Sequence, residues 1–130
     1  MKKTMAILLV LLVSMFAVKA QLTHSAWKGA IKGDNPQEGV LKFSNDTVVL
    51  YAADGSVIET MTFKATSNTF TVKKVSGQSD CDTNTVGSYK FVVHEGTMYL
   101  SLDSDVCGDR SSALDKTQWK KSPSAPKGGL

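Results

Sequence analysis

Cysteine, histidine and proline are all scarce in this chain, with two, two and three residues among 130. There is no Cys-x-x-Cys pair, which removes the usual dithiol redox and zinc-ribbon readings. The two histidines, His24 and His94, stand far apart, and neither has a nucleophile and an orienting carboxylate arranged about it. Hydrolysis needs all three in one place, and zinc needs three or four ligands, so neither chemistry has a signature here. The expectation is therefore a protein that is not an enzyme and carries no cofactor.

A long apolar run is also missing after the first twenty residues. Within them, Lys2 and Lys3 precede an apolar stretch from Ala6 to Val18, and Val18-Lys19-Ala20 offers small residues before Gln21. That order is the pattern of a secretory signal peptide over residues 1–20, too short for a comfortable membrane span. No cysteine follows it, so no lipid anchor and no stable membrane anchor are expected. The predicted location is secreted or periplasmic, where a Cys81–Cys107 disulfide would persist.

Charge of one sign is lacking too. Three of the fifteen basic residues (Lys2, Lys3 and Lys19) lie in the leader, and all twelve acidic residues follow it. The remaining chain balances twelve against twelve. A nucleic-acid binder would carry a basic excess or stripe, so that class is excluded.

What is present is β pattern. Runs rich in Val, Thr, Phe and Tyr alternate with Gly, Asn, Asp and Ser clusters, and helical spacing is hard to find. Eight strands are predicted: 25–32, 38–43, 47–52, 57–64, 69–75, 87–94, 97–102 and 117–121. A short helical turn is expected at 111–114. Asp54-Gly55 reads as the strongest hairpin turn, since both residues tolerate positive φ. Alternation assigns Leu41 with Phe43, Val48 with Leu50, and Phe70 with Val72 to one face. Tyr89, Phe91 and Val93 form a similar set, as do Met98, Leu100 and Leu102. One dry and one wet face, repeated eight times, predicts an all-β fold: an eight-stranded antiparallel up-and-down β-barrel over residues 21–121. A two-sheet β-sandwich is the alternative. Residues 122–130, rich in Pro, Gly, Ser and Lys, read as a disordered tail.

Trp27-Lys28-Gly29 near the start of the domain resembles the opening of lipocalin-like, calycin-type small bacterial secreted proteins. The stretch from Cys81 through Gly87-Ser88-Tyr89 to Asp105-Val106-Cys107-Gly108-Asp109-Arg110, with Trp119 in the last strand, is similar to their second half. The resemblance covers most of residues 23–121. It implies a lipocalin-like barrel, a small hydrophobic ligand in many members, and an Arg packed on the first-strand Trp as a structural plug. On that pattern Arg110 would stack on Trp27 or Trp119. Its other expected role is an ion pair with Asp105 or Asp109.

The interior wall then offers Phe43, Met61, Phe63, Phe70, Tyr89, Phe91 and Met98 as candidate ligand contacts. An eight-stranded barrel is just wide enough to be filled by side chains or to hold one small ligand. Glu59 shares parity with Val57, Met61 and Phe63. If it points inward, its pKa is raised or it meets a cationic partner. The favoured reading is instead a bulge near Ser56 that turns it out and brings Ile58 in, or a place at the barrel mouth. Asp80, Asp82, Asp103, Asp105 and Asp109 gather around the two cysteines and could offer oxygens to calcium, but their spacing is not that of an EF-hand loop. No metal is expected beyond this. The leading function is binding of a small apolar molecule inside the barrel. The alternative is a protein- or envelope-interaction module with a filled barrel, anchored by the outward Tyr51 and Tyr99; its protein partner is unknown.

Overall fold

The alternating segments form eight antiparallel strands in the computed structural model of the chain, which describes residues 22–122. β1 (Ala26–Ile31), β2 (Gln37–Phe43), β3 (Thr47–Ala52) and β4 (Val57–Ala65) come first. β5 (Thr69–Gly77), β6 (Val86–His94) and β7 (Thr97–Ser104) follow, and a short helix, α1 (Gly108–Leu114), leads into β8 (Thr117–Ser122). Each strand pairs with its neighbours in sequence, and β8 returns to β1 from Ala26↔Ser122 to Gly29↔Trp119. The sheet is thus a closed up-and-down barrel rather than a two-sheet sandwich. Closure leaves no long strand edge to recruit another chain. The leader at 1–20 and the tail beyond Ser122 lie outside the described residues. Ser122 itself, read as tail, pairs with Ala26 in the closing ladder.

The two ends of the barrel differ. At one, three tight connections join β2 to β3, β4 to β5 and β6 to β7, and the segment from Leu22 to Ser25 closes over them. Leu22 and Trp27 are fully buried there. The Trp27 indole N–H donates to Ser25 Oγ at 2.7 Å, and Phe43 N–H donates to the Ser25 carbonyl at 2.8 Å. The opposite end carries the long connection between β5 and β6, together with α1. The Cys81–Cys107 disulfide, with Cα atoms 5.5 Å apart, ties that connection to the start of the helix.

Three register shifts ring this second end. The extra residues are Ile58 in β4, Val75 in β5 and Asp103 in β7, as the pairings on either side of each shift require. Bulges bend strands and re-aim side chains, and they are common at barrel rims. They also explain where simple alternation fails. Val57 is exposed because the Ile58 bulge reverses its direction relative to Glu59. Leu102, expected inside with Met98 and Leu100, is 38% exposed because the β7–β8 ladder stops at Leu100↔Thr117.

The primed two-residue turn falls at Glu95-Gly96, not at Asp54-Gly55. Glu95 and Gly96, at φ 51° and 78°, form the two-residue turn with positive φ at both positions. At Asp54-Gly55 only Gly55 is positive, at φ 89°. Asp54 instead accepts hydrogen bonds from Ser56 N–H at 3.0 Å and Ser56 Oγ at 2.7 Å, an Asx-type turn.

The inward residues pack into a continuous core containing Phe43, Met61, Phe63, Phe70, Tyr89, Phe91 and Met98. Phe43 meets Phe63 edge-on at 5.0 Å between ring centroids and Phe70 at 6.0 Å. Phe70 also lies 5.8 Å from Phe91 and stacks with Tyr89 at 6.1 Å. Aromatic pairs of this geometry contribute about 0.5–1.5 kcal/mol each beyond their area burial. The middle of the barrel is filled by rings.

Candidate functional site

Space opens above those rings, at the bulged end. A cleft of about 200 Å³ lies between the barrel mouth and α1. Its apolar walls are Ile31, Leu50, Ile58 and Met61 from the strands, with Ala113 and Leu114 from the helix. Its polar rim comprises Gln37, Glu59, Gln78, Ser79, Asp109 and Arg110. Of the seven predicted interior contacts, Met61 alone reaches the cleft; the other six belong to the packed core beneath it.

Glu59 is the first polar feature. The bulge predicted near Ser56 falls at Ile58, and it turns Val57 outward while leaving Glu59 facing in. Glu59 is 5% exposed, and it meets the cation that an inward carboxylate requires: Lys74 Nζ lies 4.0 Å from Glu59 Oε1. Ser79 completes the cluster. Its hydroxyl donates to Glu59 Oε2, its N–H donates to Oε1 at 3.3 Å, and its carbonyl accepts from Lys74 Nζ at 2.5 Å. Gly77 makes room for this. A Cβ there would stand 1.9 Å from Glu59 Oε1, and its φ of 140° is one that glycine tolerates best.

Lys74 and Ser79 were absent from the predicted site, although one signal for Lys74 was present. It continues the period-two series of Phe70 and Val72, so the same alternation that places them inside points Lys74 inward. Ser79 had no such signal, because it lies in an irregular connection whose path depends on the disulfide.

Arg110 is the second feature. It is buried on α1, at the end of the barrel opposite Trp27. Its Nε donates to Asp105 Oδ2 at 2.6 Å and its Nη2 to Asp105 Oδ1 at 3.0 Å. Nη2 also donates to the Thr85 carbonyl at 3.1 Å. Of the two expected roles of Arg110, the ion pair with Asp105 forms, and Trp27 lies at the opposite end of the barrel. Trp119 uses its indole N–H on Thr117 Oγ1, at 2.8 Å. Tyr89, one of the candidate ligand contacts, donates its hydroxyl to Asp105 Oδ2 at 2.5 Å. Cys107 N–H fills a further position on the same carboxylate, at 2.9 Å to Oδ1.

The electrostatic consequences follow from burial and partners. Burial disfavours the Asp105 charge, but hydrogen bonds from Arg110, Tyr89 and Cys107 outweigh it and hold the carboxyl below its ordinary range. Burial, reinforced by the Asp105 hydrogen bond and charge, pushes the Tyr89 hydroxyl far up. Burial opposes the Arg110 charge as well, yet the Asp105 hydrogen bond and charge raise its pKa overall. The triad is thus Tyr–OH, carboxylate and guanidinium. Among the described residues it is saturated except at one atom: Arg110 Nη1 is buried and finds no hydrogen-bond partner there.

The remaining carboxylates disperse. Asp80, Asp82 and Asp109 line a wide surface trough of about 630 Å³ beside the disulfide, with Asp34 and Lys32. Asp109 accepts from Asp80 N–H at 2.8 Å, Asp82 from Asn84 N–H at 2.8 Å, and Asp103 from Ser88 Oγ at 3.0 Å. Among the described residues no group of three or more His, Cys, Asp or Glu side chains is placed to hold a metal ion. His24 precedes β1 and His94 ends β6, both exposed and both at the end away from the cleft. Tyr51 and Tyr99 lie on β3 and β7, so they do not form one aromatic patch.

No protein-family model matches the chain, and no curated protein or solved structure is significantly similar to it. The geometry itself must therefore carry the functional reading.

Proposed function

We propose that this chain is an exported, lipocalin-like barrel that binds one small, mainly apolar molecule at its open end and performs no chemistry on it. The observation that carries the reading is the apolar-walled cleft between the barrel mouth and α1, with its few polar groups gathered on one side. Ligand sites generally combine an apolar wall with a small number of placed polar groups. The cleft is below the roughly 300–1,000 Å³ of drug-sized sites, so its occupant is small. The basic and apolar leader pattern and the disulfide support export.

The surface-interaction reading has less behind it. Its proposed anchors, Tyr51 and Tyr99, are carried on strands far apart around the barrel and give no shared aromatic patch.

Methyl-resolved NMR tests the binding reading. A set of small apolar fragments should shift the Met61, Leu50 and Leu114 methyl signals and leave Val92, exposed on the outer wall, unchanged. Shifts confined to the outer wall, or none at millimolar fragment, would remove the cleft as a binding site.

A further inference from the structure

We infer that the cleft selects a small apolar molecule bearing one uncharged carbonyl oxygen, which accepts a hydrogen bond from Arg110 Nη1. This rests on the binding reading above and goes further, to the chemistry of the ligand.

The first observation is the unspent donor. Nε and Nη2 of Arg110 are committed to Asp105 and to the Thr85 carbonyl, and among the described residues the buried Nη1 has no partner. Arg110 is one of the cleft walls. A buried donor on a charged group is costly to leave unpaired, and such atoms are few in folded proteins. An acceptor oxygen on an occupant of the cleft satisfies it.

The second observation is charge balance, and it decides which oxygen. Asp105 already neutralises Arg110, with an Nε to Oδ2 distance of 2.6 Å. The other ionisable groups here are the Glu59–Lys74 pair, again one negative and one positive charge, and the Asp109 carboxylate on the rim, which adds a further negative one. A carboxylate ligand would enter beside the buried Glu59 with no uncommitted cation to offset its desolvation. A neutral carbonyl accepts the Nη1 proton without adding charge. The apolar remainder then lies against Ile31, Leu50, Met61 and Leu114.

Three matched probes test this on the intact protein: acetophenone, α-methylstyrene and benzoate. The first two share a shape but exchange C=O for C=CH₂; the third adds a charge. Affinities are read from methyl shifts at Met61 and Leu114, and the Arg110 side-chain nitrogens are followed in the same titration. Acetophenone should bind about tenfold more tightly than either other probe, the margin of a hydrogen bond to a charged donor. Its binding should also move the Arg110 Nη resonance. Equal binding of acetophenone and α-methylstyrene would overturn the carbonyl inference while leaving the apolar cleft in place. Tightest binding by benzoate would overturn the neutrality argument. Failure of all three to shift the cleft methyls would overturn the inference together with the reading it rests on.

Discussion

Lys74 Nζ sits 4.0 Å from Glu59 Oε1 inside the barrel mouth, with the two side chains 11% and 6% exposed. Each charge is tolerated because the other is there and because Ser79 contacts both. Removing one member of such a pair leaves an uncompensated buried charge, whereas replacing both with residues of similar volume is often neutral.

Single substitutions Glu59→Gln and Lys74→Met should therefore each destabilise the fold, Lys74→Met by about 3 kcal/mol. The double variant should recover most of that loss. Urea unfolding of all four proteins completes the double-mutant cycle. Additive losses, with no recovery in the double variant, would show that the pair does not act as a unit.

Gly77→Ala should be costly for two separate reasons. The new Cβ would meet Glu59 Oε1 at 1.9 Å, and alanine resists a φ of 140°. It would also approach the Ile58 carbonyl at 2.6 Å, so trimming Glu59 to Ser should relieve only part of the damage. A loss of roughly 2 kcal/mol or more in thermal or urea unfolding is expected. A Gly77→Ala protein as stable as the parent would mean that the β4–β5 rim can move apart freely.

These residues mark how far the sequence was legible. Period-two alternation located all eight strands and the aromatic filling, because burial on one face imposes that period wherever a strand is regular. It lost force at the rim. Ile58, Val75 and Asp103 are extra residues in their strands, and a bulge leaves no trace in hydrophobic pattern when its neighbours are mixed. Strict alternation puts Val57 and Glu59 on one face, and the structure separates them. Arg110 carried two expected roles, a stack on tryptophan and an ion pair with Asp105 or Asp109, and the ion pair with Asp105 forms. Trp27 and Trp119 are attractive partners on paper, but chain order puts α1 at the far end of an up-and-down barrel from Trp27, beside Asp105. The polar rim of the cleft depends on non-local loop placement, which no local pattern encodes.

Stability should fall at both pH extremes through the Tyr89–Asp105–Arg110 cluster, with opposite signs. Asp105 is held below its ordinary value of 3.8, so its contribution is present above that pH and is lost as pH falls through the folded value. Tyr89 is raised above 10.0, so its contribution is present below pH 10 and is lost as pH rises above it. Arg110 stays charged throughout. Asp105→Asn should flatten the acid limb below about pH 4, and Tyr89→Phe the alkaline limb above about pH 10. Unfolding free energies measured from pH 2 to 11 check this. An acid limb unchanged in Asp105→Asn would place the titrating carboxyl elsewhere.

The disulfide should matter more to the cleft than to the barrel. Cys81 and Cys107 are 26 residues apart, and in the chain-entropy model a loop of that size contributes about 3–4 kcal/mol. Its constraint acts on two segments that also supply cleft walls: Gln78 and Ser79 on one side, Arg110, Ala113 and Leu114 on the other. The ladders beneath are closed without it, since β6–β7 pairing runs to Ser88↔Ser104 and β8 is held by both neighbours. In a Cys81→Ala/Cys107→Ala protein, amide exchange should accelerate first in α1 and in the β5–β6 connection, while β2 to β4 keep their protection. Fragment affinity should drop together with the protection of α1. Uniform acceleration across all eight strands would instead make the disulfide a brace for the whole barrel, with no special hold on the cleft.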